Sequence, residues 1–205
     1  MARRASPSEP LLVLATANRA KGRELAQLLA DLPYRIRDLS LYPDVVLPPE
    51  GEISYTDNAL GKARAVTAAL GAMALADDSG IEVDAFGGGP GVLSARYGGE
   101  GLGDPDRNAL MLRELAGVPP ERRTARYRAV IAVTAPDGRE ATVEGLVEGV
   151  LLEAPRGVGG FGYDPLFYYP PLGATFAEIT PEAKHAVSHR GRAMALAREL
   201  LRRWS

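Results

Sequence analysis

The chain has 205 residues, 46% hydrophobic and 24% charged, with a formal net charge of −2. That size suits one large domain or two lobes sharing a core, and the near-neutral charge carries no nucleic-acid footprint. It contains no cysteine, which excludes disulfides, cysteine-ligated zinc and thiol nucleophiles together and fits a cytoplasmic enzyme. No stretch is long enough to span a membrane. Arg3-Arg4 ahead of "LLVLATA" is the one candidate leader, and Ser6-Pro7-Ser8-Glu9-Pro10 interrupts it. Residues 1–10 read as a flexible extension of a single domain covering 1–205.

In chain order, "LLVLAT" (11–16) reads as a buried strand. "NRAKGRELAQLLADL" (18–32) reads as a helix, with Leu25, Leu28, Leu29 and Leu32 at helical spacing and Asn18 as N-cap. Residues 33–55 hold several prolines and read as strand fragments and loop. "TDNALGKARAVTAAL" (56–70) is a second helix with Thr56 as N-cap. "AMALAD" is the next strand, ending in the carboxylates of "DDSG". The glycine-rich stretch 86–104 reads as a long loop, and "DPDRNALMLRELAG" (104–117) as a helix capped by Asp104 with Pro105 at its first position. Residues 125–152 alternate with period two around "PDGR", the pattern of an antiparallel hairpin. Loop "PRGVGGFGYDP" and strand "LFYY" follow. Then comes a short helix opened by Thr180-Pro181, and a long terminal helix with Met194, Leu196, Ala197, Leu200 and Leu201 toward the core. The pattern predicts an α/β fold with a mixed sheet and flanking helices rather than a regular βαβ array.

Five stretches carry candidate chemistry. In "ATANRAK" (15–21) a strand enters a helix through a polar turn, and a helix start offers amides to phosphate. Thr16, Asn18 and Lys21 would assist, although an ordinary capped helix fits as well. No G-x-x-x-x-G-K-[ST] occurs, so P-loop chemistry is excluded. In "EGEISYTDNALGK" (50–62), Asn58 and Lys62 share a helix face and Glu50 precedes it. The adjacent Asp77 and Asp78 at a strand's C-terminal end sit where open α/β sheets bind ligands, and a divalent cation would relieve their repulsion. A capping pair on the next turn is the alternative. In "GGFGYDP" (159–165), glycines flank Phe161, which could stack on a nucleobase or fill the core. "KHAVSHRG" (184–191) brings Lys184, His189 and Arg190 together as donors for a carbonyl or phosphate. The chain has 21 arginines but only three lysines, Lys21, Lys62 and Lys184. All three fall in these stretches, consistent with sites where a compact ammonium fits and a planar fork does not.

In this order the stretches resemble the non-canonical purine nucleoside triphosphate pyrophosphatases, the inosine triphosphatase family. The marks are "T-x-N-x-x-K" at 16–21, "N-A-x-x-K-A" at 58–63, "ADDSG-x-x-V" at 76–83, "GxPGxxSARYxG" at 88–99, "GVGGFGYDP" at 157–165 and "SHRG" at 188–191. Ala17 departs from the glycine of many relatives. The resemblance implies Mg²⁺-dependent hydrolysis of ITP, dITP and XTP to the monophosphate and pyrophosphate. It also implies a homodimer and an elongated mixed sheet whose two lobes enclose a nucleotide cleft. It makes Asp78 the metal ligand and base, and Glu50 a second metal ligand. Thr16, Asn18, Lys21 and Lys62 become triphosphate contacts, and Asn58 a further substrate contact. Ser79, Phe161, Gly162, Tyr163, Asp164, Lys184, His189 and Arg190 complete the nucleotide set, with His189 and Arg190 reading the purine C6 carbonyl. A Maf-like nucleotide pyrophosphatase and a nucleotide-binding regulator without turnover are the rival readings.

Overall fold

The computed structural model describes residues 9–204, so most of the expected N-terminal extension lies outside the described residues. Seven strands form one mixed sheet in the order β2-β1-β3-β4-β5-β6-β7. β1 (Leu11–Leu14) runs parallel to β2 (Arg35–Asp38) and to β3 (Met73–Val83). β5 (Glu140–Leu151), β6 (Phe167–Tyr169) and β7 (Ala174–Thr175) are antiparallel neighbours. β4 (Thr124–Thr134) and β5 form the hairpin that the period-two pattern predicts. The bonds Ala135 N to Arg139 O (2.9 Å) and Leu151 N to Arg123 O (2.9 Å) close its two ends in one antiparallel register.

The chain divides into two compact units. The first contains residues up to Asp78, Ala129–Gly145 and Arg190 onward. One face of its sheet carries Leu12, Leu14, Met73, Leu75, Ile131 and Val133, covered by Leu25 and Leu29 of α1 (Arg19–Leu29) and Met194, Ala197 and Leu201 of α5 (His189–Trp204). The other face carries Val13, Ala15, Ala74, Ala76 and Ala132 against Ala59, Ala63 and Val66 of α2 (Tyr55–Leu70). Burial of both faces accounts for the near-continuous apolar runs of β1 and β3. The second unit contains Ser79–Arg128 and Leu146–His189. Its core joins Ile81 and Val83 to Met111 and Leu115 and to an aromatic group in which Tyr127 lies 4.6 Å from Phe167, and Phe167 4.9 Å from Phe176. It also holds α3 (Asp104–Glu114) and α4 (Pro181–Val187).

Four local expectations change. The strand expected to end at the acidic pair continues to Val83, because paired charges can be buried in mid-strand and the alternation resumes at Ile81. Helix α2 is capped by the Ser54 hydroxyl, which accepts from Asp57 N, and not by Thr56. Asp104 does not cap α3: Gly103 occupies that position, and the Asp104 carboxylate accepts instead from Gly162 N (2.6 Å). In α5 the buried line is Met194, Ala197 and Leu201, and Leu196 is exposed, since it falls off the i, i+3, i+7 stripe.

Candidate functional site

The side chains of Asp77 and Asp78 leave β3 on opposite faces. Successive side chains of a strand point to opposite faces, and β3 obeys that rule through its charged residues. Asp77 follows Met73 and Leu75 onto the face covered by α1 and α5, while Asp78 follows Ala74 and Ala76 onto the face covered by α2. The repulsion that a shared cation was expected to relieve is therefore relieved by separation. Each carboxylate has its own cationic partner.

On the α2 face, Asp78 is 3% exposed. Its Oδ2 accepts from Asn58 Nδ2 (3.0 Å), and its Oδ1 lies 3.5 Å from Lys62 Nζ. The same ammonium donates to Glu50 Oε1 (2.5 Å) and to the Asp77 carbonyl (2.9 Å). Asn58 also donates to Gly51 O (3.1 Å) and accepts from Gly51 N (2.7 Å). Both its amide hydrogens are thus spent on the protein. It pins the loop carrying Glu50 to α2 and orients Asp78, a positioning task where a substrate contact was expected. The alanine-rich face of α2 lets the helix approach the sheet and brings Asn58 and Lys62, one turn apart, to the same carboxylate. Burial raises the Asp78 pKa; Lys62, Lys21 and the Asn58 hydrogen bond oppose this, and Glu50 adds to it.

On the opposite face Asp77 is fully buried. Lys21 Nζ lies 2.8 Å from its Oδ2, and Arg190 meets it through Nε to Oδ1 (3.3 Å) and Nη2 to Oδ2 (3.4 Å). Arg190 Nη1 reaches Glu24 Oε2 (2.5 Å) on α1. Burial alone would raise the Asp77 pKa, but Arg190 and Lys21 outweigh it and hold the carboxyl well below the usual range. Burial likewise disfavours the charged guanidinium of Arg190, and Asp77 and Glu24 more than offset it. Arg190, expected with His189 at the base, is therefore an inward ion-pair member. Consecutive helix residues leave the axis about 100° apart, so the two side chains diverge.

The turn before α1 is built as a cap. Asn18 Oδ1 accepts from Ala20 N (2.9 Å) and Lys21 N (3.1 Å), and Thr16 Oγ1 accepts from Asn18 N (3.2 Å). Two amides expected to face an anion are thereby taken. The Thr16 hydroxyl hydrogen and the Asn18 amide remain the turn's side-chain donors.

In the second unit, Asp164 organises its loop. Its Oδ2 accepts from Lys184 Nζ (2.5 Å) and Phe161 N (2.9 Å), and its Oδ1 from the Tyr127 hydroxyl (3.4 Å). Lys184 Nζ also stands 4.7 Å from the Phe161 ring centroid, a cation–π contact. Gly160 has φ +70°, and a Cβ there would meet Asp164 Oδ2 at 2.1 Å, so only glycine permits this close turn. Tyr163 donates to Ser94 O (2.7 Å). His189 stacks on Tyr127 with centroids 4.5 Å apart and 12° between planes. Ser79, the second unit's first residue, is half-buried in β3. Two residues of these networks escape the sequence reading, Glu24 and Tyr127, and Asp104 reads there only as a helix cap. Only Glu24 carried a local signal, its i, i+3 spacing from Lys21 on one helix face.

The donor set suits a hard divalent cation. Among the described residues no group of three or more His, Asp or Glu side chains is gathered for a metal. The chain does hold Glu50 and Asp78 on one ammonium at 2.5 and 3.5 Å, which marks a place where two carboxylates already share positive charge. Hard divalent cations are commonly bound by one or two carboxylates completed by waters and substrate phosphates, and Glu50 and Asp78 are two carboxylates of that kind.

The model of the Ham1 family matches residues 12–200. The chain belongs to the Ham1 family. It is 50% identical over 192 residues to the dITP/XTP pyrophosphatase of Desulforamulus reducens, covering 94% of this chain and 96% of that one. The dITP/XTP pyrophosphatase of Thermus thermophilus is also 50% identical, over 183 residues, 89% of this chain and 87% of that one. The Staphylococcus aureus Ham1 protein structure superposes with a TM-score of 0.84 at 34% identity, covering 95% of this chain and all of that one.

Proposed function

We propose that this protein hydrolyses the non-canonical purine nucleoside triphosphates ITP, dITP and XTP to the monophosphate and pyrophosphate, removing them from the nucleotide pool. The observation that carries the mechanism is the group of buried Asp78, Lys62 and Asn58 with half-buried Glu50 on one face of β3. Asp78 is the base. Water attacks the α-phosphorus, its proton passes to Asp78, and the α–β bridging bond breaks to release pyrophosphate. Raising the carboxyl pKa by burial favours proton uptake at this atom. Glu50 and Asp78 would hold Mg²⁺, which supplies an activated water and offsets phosphate charge. Lys21, Lys62, Thr16 and Asn18 take the triphosphate, with lysine charge spread over its oxygens. Phe161 stacks on the purine, and His189 and Lys184 lie in the same cluster as its fixed loop. A homodimer acting in the cytoplasm completes the proposal; no helix of the described residues is long and apolar enough to cross a membrane.

The test is pyrophosphate release from ITP, XTP, dATP and dGTP, each with Mg²⁺ and with chelator. ITP and XTP should be consumed far faster than the other two, and chelator should stop the reaction. Equal rates on all four, or turnover that survives chelation, would reject the assignment.

A further inference from the structure

Helix α3 carries none of the motifs that point to nucleotide chemistry, yet it grips the middle of the Phe161 loop. Gly162 N donates to Asp104 Oδ2 (2.6 Å), and Gly162 O accepts from Asn108 Nδ2 (3.0 Å). Asp104 and Asn108 are four residues apart, hence on one helix face, and together they take both backbone polar groups of a single glycine. Gly162 has φ +62°, in the left-handed region, with nothing within 4 Å of where a Cβ would stand. A turn bond from Asp164 N to Phe161 O (3.3 Å) spans the glycine, and the two bonds from α3 fasten both of its backbone polar groups to that helix.

The cost of burying Asn108 points the same way. The residue is 8% exposed, and its Oδ1 has no hydrogen-bond partner among the described residues. A buried acceptor left unsatisfied is unfavourable, so the amide's recovered interaction is the bond to Gly162. The residues either side are fixed independently, Phe161 N by Asp164 Oδ2 and the Tyr163 hydroxyl by Ser94 O. Gly162 is the link between them, and the clamp ties that link to α3.

We infer that Asp104 and Asn108 are positioning residues that preset the Phe161–Tyr163 loop for the purine, so that substrate binding does not have to order it. This rests on the assignment of that loop to the base. An ordered loop spares the base the entropy of immobilising it. Loss of the clamp should weaken binding of anything that carries a purine and leave the phosphate end untouched.

The experiment combines three variants with two probes. Asp104→Ala and Asn108→Ala should each raise KM for ITP about 5- to 30-fold, the range that one to two kcal/mol corresponds to, with kcat little changed. Asp104→Asn, which keeps an acceptor for Gly162 N, should recover most of the affinity. Inorganic tripolyphosphate, which has no base, should inhibit the original protein and all three variants with the same constant. Amide exchange at Gly162, read by NMR, should accelerate in Asp104→Ala. Faster exchange with an unchanged ITP KM would overturn the positioning role, as would a parallel loss of tripolyphosphate affinity, which marks a general structural defect. Absence of any nucleoside triphosphate turnover by the original protein would instead reject the parent assignment, and the clamp's purpose with it.

Discussion

Arg190 and Asp77 face each other through two bonds, Nε to Oδ1 at 3.3 Å and Nη2 to Oδ2 at 3.4 Å, with 2% and none of the two side chains exposed. Such a buried pair adds little against an apolar alternative, but removing one partner strands the other, at about 3–5 kcal/mol. Arg190→Ala leaves Asp77 with Lys21 and leaves Glu24 without its guanidinium. Because Asp77 keeps Lys21, the substitution should lower unfolding free energy in urea melts by less than that, about 1–3 kcal/mol, while the ITP/ATP ratio of the folded protein stays as it was. A collapsed ratio with unchanged stability would show that the arginine reads the base.

Asp78 presents the opposite balance. Its carboxylate is buried and its pKa raised, chiefly by desolvation, so the ionised form is held in a place that disfavours it. Asp78→Asn removes that charge and retains an acceptor for Asn58. It should melt no lower than the original protein when no metal is added, yet lose at least about 100-fold in turnover as the base disappears. Stability without activity is the signature to look for by calorimetry and pyrophosphate release. Retained activity would move the base elsewhere.

Lys62 serves three acceptors at once, Glu50 Oε1, Asp78 Oδ1 and the Asp77 carbonyl. A tetrahedral ammonium can direct its three hydrogens to these separate points, and a planar guanidinium cannot. Lys62→Arg should therefore be damaging although charge is kept. Lys21→Arg should be milder, because Lys21 Nζ meets a carboxylate that already accepts a guanidinium from Arg190. The check is kcat/KM for ITP in both variants. Equal tolerance of both exchanges would remove the geometric meaning of the scarce lysines.

The motif order located most of the polar groups described here but not their facing. "ADDSG" marks Asp77 and Asp78, and two adjacent charges read as a strand's end. Extending the strand to Val83 would have separated them by alternation alone, but that step needs buried cations from α1, α2 and α5, which come from distant parts of the chain. Helix spacing showed that Asn58 and Lys62 share a face; it could not show that Asn58 is satisfied by Gly51 and Asp78. Asp104 read as a cap because an acidic residue ahead of Pro105 usually is one. Its capture by Gly162, 58 residues away, has no local signal.

The base loop gives a last prediction, with two substitutions that should act alike for different reasons. Phe161 is half-buried, with the Lys184 ammonium over its ring and its backbone amide on Asp164. Phe161→Ala removes a stacking surface worth roughly 1–3 kcal/mol per base, and stacking does not distinguish one purine from another. By the same measure ITP, XTP, GTP and ATP should all bind more weakly by a similar factor, about tenfold. Gly160→Ala leaves the ring in place but sets a methyl 2.1 Å from Asp164 Oδ2 at a φ of +70°. The carboxylate must then retreat from Phe161 N and from Lys184, whose buried ammonium has Asp164 as its ion-pair partner. The loop loses its brace, and the ring its direction. Steady-state kinetics on the four triphosphates should therefore show parallel KM increases in both variants. Gly160→Ala should also be less stable, because a buried ion pair is disturbed, whereas Phe161→Ala should lose little. A selective effect on ITP alone in Phe161→Ala would show that the ring takes part in choosing the base and is not only a platform.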